Sequence, residues 1–254
     1  RGDYVVGVDA ETYAAGLEPE PHGRFRYLNE NICTLERLPD CDAVIHLAAE
    51  THVDNSIMDP ARFMQTNVLG TFHLLELIRA KRNYQMPLLI HISTDEVYGD
   101  TPGAKDASAP LQPSSPYAAS KAAADHLVQA WGRTYNLKYR IVRPSNCYGP
   151  RQFPEKLIPK AVRHLGLGRK IPVHGDGSQT RSWLHVEDCA RAILTVLDKG
   201  YDTGVFNVSG NTQASVKEVV ARIVCEYHQS EEWEPYVEFE ATRNGLDTQY
   251  AVCD

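Results

Sequence analysis

Short apolar runs alternate with amphipathic stretches along this chain. Residues 42–49 (DAVIHLAA) and 87–93 (PLLIHIS) are nearly continuous in hydrophobic residues, and residues 4–8 (YVVGV) form a shorter β-rich run that ends on Asp9. Runs without polar alternation mark strands covered on both faces, which belong to parallel sheets. Between the two longer runs, Phe63, Asn67, Gly70, Leu74, Leu77 and Ile78 mark one face of a helix predicted over 60–82. Strand, helix, strand is a crossover unit. Residues 115–135 predict a second helix, with Ser115 as its N-cap and Pro116 in its first turn, and residues 138–146 (KYRIVRPSN) supply the next strand.

Beyond Pro150 the pattern changes. A short helix (PEKLIPKAVRHL) gives way to a turn-rich stretch (GRKIPVHGDGSQTRSW), and HVEDCARAILTVLDK returns to helix. The expectation is an α/β fold: a Rossmann-type doubly wound parallel sheet over residues 1–150, with residues 151–254 mainly a smaller substrate-binding lobe interleaved with it. Such a sheet normally opens on a strand and a glycine-rich turn, yet no G-x-G-x-x-G is present. A first strand, turn and helix are therefore expected to be missing ahead of residue 1, and the ending at Asp254 reads as equally early.

Composition narrows the function classes. With 254 residues, 43% hydrophobic and 23% charged, the chain can bury a full core. A net charge of −7 gives no general reason to bind nucleic acid or an anionic membrane. The six cysteines, at 33, 41, 147, 189, 225 and 253, form no CxxC pair, which reads as reduced thiols serving as small core residues in a cytoplasmic protein. No apolar run approaches the roughly 18 residues of a spanning helix, and no leader is visible.

Ligands in open parallel sheets bind at the carboxyl ends of strands. The run at 87–93 ends there on Thr94, Asp95 and Glu96, a hydroxyl and two adjacent acids that could also be a plain turn. Tyr117 and Lys121, four apart near a helix start, leave one face one turn apart. A lysine ammonium beside a phenol, helped by a cationic nicotinamide ring, would lower the tyrosine pKa and make a general base. With 13 tyrosines the spacing alone is weak; its place directly after the Thr94 strand gives it weight. Asp9 stands where a dinucleotide-binding sheet puts the acid that accepts from the adenosine ribose, which favours NAD over NADP. Arg181, near Gly175 and Gly177, could fork onto a diphosphate or be a solvated surface group. His46, His52 and His91 lie on or beside strands without ligand spacing, so core roles are favoured and no metal is expected.

The segments HLAAETHVD, TNVLGT, STDEVYG, SPYAASKAAADHL, SNCYGPRQFPEKLIP and GDGSQTRSWLHVED together resemble the extended short-chain dehydrogenase/reductase family, and most closely its nucleotide-sugar 4,6-dehydratases, typically specific for dTDP-glucose. The resemblance runs from about Tyr4 to Tyr250. It implies that Tyr117 removes the C4 hydroxyl proton as hydride passes to NAD, with Lys121 holding the cofactor ribose and phenolate and Thr94 bonding the C4 oxygen. Glu96 would then take the C5 proton while Asp95 protonates the departing C6 hydroxyl, and hydride would return to C6. By the same matching, Asn31, Ile32, Leu47, Ala48, Ala49 and Thr66 would line the NAD site. Thr51, Asn146, Lys156, Leu157, Pro172 to His174, Arg181, Asn211 and Arg243 would hold the nucleotide sugar, and the resemblance implies a homodimer.

Four departures accompany the resemblance. Asn31 replaces an aspartate near adenine, Cys147 an asparagine that often touches nicotinamide, and His174 a tyrosine against the nucleobase, while RNGLDTQY lacks the usual histidine. These blur the choice of base, because thymine and uracil differ by one methyl. Two other readings stay open. A 4-epimerase or UDP-glucuronate decarboxylase would share Tyr117 and Lys121 but need no acid at Asp95. A non-catalytic Rossmann-type binding protein is favoured only by the absent glycine turn.

Overall fold

The computed structural model describes residues 2–16, 23–81, 86–100, 103–199, 203–242, 249–250 and 252. Its central sheet is parallel, in the order β3 (Ala43–His46), β4 (Leu88–Ile92), β5 (Tyr139–Pro144) and β9 (Gly204–Val208). A second parallel pair joins β1 (Val5–Asp9) to β2 (Phe25–Asn29). From β3 the chain crosses to β4 through α1 (Val53–Met58), α2 (Pro60–Phe63), a π-helical turn (Met64–Gly70) and α3 (Thr71–Ala80). From β4 it crosses to β5 through a 3-10 turn (Asp95–Tyr98) and α4 (Pro116–Tyr135). The α/β fold with Rossmann-type parallel strands is the one the apolar runs predicted.

The predicted caps and packing hold for α4. Ser115 accepts from the Ala118 N–H at 3.1 Å and Pro116 occupies the first turn. Ala118, Ala122 and Val128 pack inward, the last in a core with Leu74, Leu75, Ile78, Leu89 and Ile141. The run at 42–49 departs from expectation, since β3 is short and its Ile45 is exposed. It lies at the edge of its ladder, with β4 on one side only, so its apolar residues are half covered. The helix over 60–82 is also interrupted: its middle turn widens to π around Asn67, whose amide accepts from the Glu50 N–H at 2.8 Å and donates to the Ser120 hydroxyl at 2.8 Å.

After Pro150 the chain builds β6 (Asn146–Tyr148, just before it), α5 (Leu157–Gly166), β7 (Ile171–His174), β8 (Thr180–His185) and α6 (Val186–Lys199). The stretch read as turn-rich thus contains two strands. Their pairing is long-range: β8 is joined by β6, by β10 (Thr212–Ser215) and by β12 (Gln249–Tyr250), and β7 by β11 (Val237–Glu240). A third helix, α7 (Val216–His228), carries a Ser215–Glu218 capping box and packs Val220 and Val224 with Ile171 and Val173 in a core of its own. Strand β9 returns to the central sheet, with α6 packed over β5 and β9.

Of the described cysteines, Cys189 is buried as expected. Cys41 is exposed and Cys33, Cys147 and Cys225 are half-buried, with Cys33 and Cys41 in the turn and loop segments between β2 and β3. Cys253, Arg243 and most of the RNGLDTQY segment lie outside the described residues. Gly99 ends the 3-10 turn at φ 73°, and a Cβ there would sit 1.9 Å from the Gln112 carbonyl oxygen. Gly99→Ala is expected to destabilise the fold by about 2 kcal/mol and lower Tm by roughly 5 °C, as read by thermal melting.

Candidate active site

Thr94, at the carboxyl end of β4, stays extended at φ −156° and ψ 153°, and its hydroxyl accepts from the Glu96 N–H at 3.3 Å. The chain then tightens into one 3-10 turn, so Asp95 and Glu96 follow the strand end directly. Thr94 and Asp95 are buried, Asp95 to 2% exposure, and Glu96 is half-buried. One oxygen of Asp95 receives the Thr94 hydroxyl at 3.4 Å; the other, Oδ2, is buried without a hydrogen-bond partner. A carboxyl with a free buried oxygen is costly unless it is protonated or receives a ligand.

The helix α4 brings the other half of the site. Tyr117 and Lys121 are both buried, with the Tyr117 ring edge-on to Phe63 and the Lys121 ammonium donating to the Ile92 carbonyl at 2.6 Å. Lys121 is thereby tied to the strand end that carries Thr94. Burial brings its pKa down to about 8, with the Asp125 carboxylate one turn further on opposing that fall.

Electrostatics put these groups within reach of each other. Burial, reinforced by the charge of Glu96, pushes the Asp95 carboxyl up to about 7, while Arg181 and the Thr94 hydroxyl oppose the rise. Burial also pushes the Tyr117 phenol up, and Glu96 and Asp95 add to it against a hydrogen bond from Thr94. The lowering of Tyr117 expected from Lys121 is therefore not found in the protein alone. Desolvation and two facing carboxylates outweigh an ammonium that is turned toward a backbone carbonyl.

The remaining candidates fall into three groups. Around Asp9, at the exposed carboxyl end of β1, lie Asn31, whose Oδ1 accepts from the Cys33 N–H at 2.8 Å, and Ile32, buried against Gly70. Leu47, Ala48 and Ala49 follow β3, Leu47 with 61% exposure, and Thr66 sits half-buried in the π turn. Asp9 and Leu47 thus stand exposed at or just past the carboxyl ends of two parallel strands, β1 and β3.

Lys156 donates to the Thr51 carbonyl at 2.8 Å and feels the charge of Glu96, which brings both toward the carboxylates, with Leu157 opening α5 beside them. Asn146 opens β6, and Arg181 is 9% exposed on β8 and faces Asp95. It is not the solvated surface group of the alternative reading. Pro172, Val173 and His174 lie further off on β7, with His174 Nδ1 3.5 Å from Glu240. Asn211 lines a cavity of about 470 Å³ with Ser182, Asn207, Ser209 and Gln213. His46 and His91 are buried, His46 against the Thr71 hydroxyl at 2.9 Å and His91 3.4 Å from Asp125.

Sequence reasoning missed two features. Tyr13, beyond Asp9, donates to Glu155 at 2.8 Å and receives the Asn55 amide at 3.0 Å, so the segment after β1 reaches the loop carrying Lys156. Burial and Glu155 push its phenol up to about 12. The second is the buried pair Asp125 and Arg143, joined at 3.0 Å. Its signals were present in the sequence: an acid four residues past Lys121, and two arginines, Arg140 and Arg143, within a strand that is otherwise largely apolar.

Residues 1–209 match the family described as the NAD dependent epimerase/dehydratase family. The chain is 43% identical over 278 residues to the dTDP-glucose 4,6-dehydratase of Neisseria gonorrhoeae, spanning 98% of this chain and 80% of that protein. It superposes on the dTDP-glucose 4,6-dehydratase of Streptomyces venezuelae, solved with NAD bound, at a TM-score of 0.90 and 36% identity, covering 100% of this chain and 80% of that one. The UDP-glucuronic acid 4-epimerase of Bacillus cereus superposes at 0.88 with 27% identity, covering 98% and 82%. A strand-end hydroxyl and acid pair facing a buried tyrosine, on a fold shared with these enzymes, places the chain in one family: it belongs to the NAD dependent epimerase/dehydratases.

Proposed function

We propose that this protein is an NAD-dependent dTDP-glucose 4,6-dehydratase, a hydro-lyase that makes the 4-keto-6-deoxy sugar nucleotide. The observation that carries the reading is the Asp95 carboxyl, held near a pKa of 7 beside an adjacent Glu96 and opposite Tyr117. Elimination of water across C5 and C6 needs a base and an acid together, and a raised carboxyl next to a second acid supplies both. Epimerisation at C4 calls for no such acid.

In this reading Tyr117 Oη takes the proton of the C4 hydroxyl while the Thr94 hydroxyl bonds that oxygen. Glu96 accepts the C5 proton, and Asp95 gives its own to the leaving C6 hydroxyl, which departs as water. NAD, when bound, supplies the redox exchange at C4 and C6 and the positive ring charge that favours the Tyr117 phenolate. Asp9, Asn31, Ile32, Leu47, Ala48, Ala49 and Thr66 would hold it, with Lys121 on its ribose. Thr51, Asn146, Lys156, Leu157, Pro172, His174, Arg181, Asn211 and Arg243 would hold the nucleotide sugar.

The division into a cofactor-binding domain over 1–150 and a substrate lobe over 151–254 belongs to the same proposal, with β9 as the strand that interleaves them. No helix among the described residues is long and apolar enough to cross a membrane. A cytoplasmic homodimer is part of the reading; the exposed Met64 and Leu69 on the π turn, Phe72 on α3 and Tyr135 at the end of α4 supply apolar surface for it.

Incubating the full-length protein with NAD and dTDP-glucose in deuterium oxide tests the reaction. NMR is expected to show a new C6 methyl signal and solvent deuterium at C5. A product epimeric at C4, with neither change, would assign the chain to its epimerase relatives.

A further inference from the structure

Among the described residues Arg143 is the bulkiest of the fully buried side chains, at 2% exposure near the end of β5, a strand that also carries Arg140 among its apolar residues. An arginine in that position is costly, and a hydrophobic residue of similar volume would often be at least as stable. Its fork nevertheless joins two elements that both carry the proposed chemistry. Nε donates to Asp125 Oδ2 at 3.0 Å, one turn of α4 beyond Lys121. Nη1 donates to the Tyr98 hydroxyl at 2.6 Å, on the same 3-10 turn as Asp95 and Glu96. The guanidinium also lies over the Tyr98 ring, 4.9 Å from its centroid.

From Tyr98 the connection continues. Its hydroxyl donates to Asn207 Oδ1 on β9 at 2.8 Å, and the Asn207 amide donates to the Lys105 carbonyl at 3.0 Å. On the other side Asp125 faces His91 on β4 at 3.4 Å. Residues three apart on a 3-10 turn share one edge, so Tyr98 and Asp95 move together if the turn rotates. Fixing the phenol end of Tyr98 therefore fixes the direction in which the Asp95 carboxyl points.

We propose that Arg143 and Tyr98 act as a positioning clamp that holds the acid–base pair Asp95 and Glu96 in register with Tyr117 and Lys121, and so serves the elimination step in particular. The proposal rests on the dehydratase reading. Tyr117 and Lys121 keep their own anchors, the α4 cap and the Ile92 carbonyl, and do not need the clamp to stay in place. The carboxylate turn is short; it shares a buried apolar cluster with Ala122 of α4 through Val97 and Tyr98, and its polar link to that helix across β5 runs through the Tyr98 hydroxyl and Arg143. A misplacement of about 1 Å in a reacting group can cost up to a hundredfold in rate.

The test uses Tyr98→Phe, which keeps the ring and deletes the link, and Arg143→Lys, which keeps a charge opposite Asp125 but cannot fork to both partners. In single turnovers with NAD and dTDP-glucose in deuterium oxide, both variants are expected to slow deuterium entry at C5 by about tenfold or more. The rise in absorbance at 340 nm that accompanies C4 oxidation is expected to stay within about twofold of the natural protein. Thermal melts identify a variant that fails to fold, and the other then decides. Equal slowing of both signals, or of neither, would overturn the clamp. Absence of C5 deuterium and of the C6 methyl in the natural protein would instead overturn the dehydratase reading, so the two failures are separable.

Discussion

Asp95→Asn is expected to cut dehydration turnover by about 10²- to 10⁴-fold, the usual range for loss of a general acid, while C4 oxidation continues. The substitution is nearly isosteric, so the turn and the Thr94 contact persist and only the transferable proton is lost. The pH dependence follows from the same carboxyl. Burial and the neighbouring Glu96 raise Asp95 to about 7, so it is protonated, and competent as an acid, below neutrality and loses that form as pH rises. Elimination should therefore fall along an alkaline limb centred near pH 7, and residual activity of the Asn variant should lack that limb. Arg181 faces the ionised form and restrains the rise, so Arg181→Met should shift the limb to higher pH. The checks are C6 methyl formation by NMR and C4 oxidation at 340 nm across pH. Equal loss of both steps in Asp95→Asn would remove it from the role of acid.

Asp125→Ala is expected to destabilise the fold by about 3–5 kcal/mol, because it leaves the guanidinium of Arg143 buried without its counter-charge. For a domain of this size that lowers Tm by roughly 10 °C. The double replacement Asp125→Ala with Arg143→Leu should recover much of the loss, since the cost lies in the unpaired charge. The acid side has a definite sign. Burial alone would raise the Asp125 carboxyl, but His91, Arg143 and Ser93 override it and hold its pKa below the ordinary value. A carboxyl depressed on folding contributes stability above its unfolded pKa of about 3.9 and loses it as pH falls through the folded value. The difference between the natural protein and the variant should accordingly close in acid. A Tm unchanged at neutral pH would show that Arg143 finds another partner.

Much of the fold was legible because its signals are local. The apolar runs ending at Asp9 and Thr94, the cap at Ser115 and the 3.6-residue face ending at Ile78 each follow from neighbours along the chain. The π turn around Asn67 was not legible, because it is set by hydrogen bonds to Glu50 and Ser120, 17 and 53 residues away. Strands β7 and β8 hid in a glycine-rich stretch for a similar reason: their partners are β10, β11 and β12 far downstream, and pairing overrides local turn propensity.

The sequence by itself determined which groups this site possesses: a hydroxyl and two acids at a strand end, a tyrosine and lysine one helical turn apart, and an acid at the end of β1. Only the tertiary structure decided what those groups are worth. Burial makes Asp95 an acid near neutrality, draws Lys121 down and raises Tyr117, and none of these shifts can be read from residue type, because each depends on how much water and which charges surround the group. It also decided that Arg143, which in the sequence is one of two arginines in a largely apolar strand, bridges the helix of the phenol and the turn of the carboxylates. The physical reason is that desolvation and charge–charge interaction act through space, between side chains that only folding brings together.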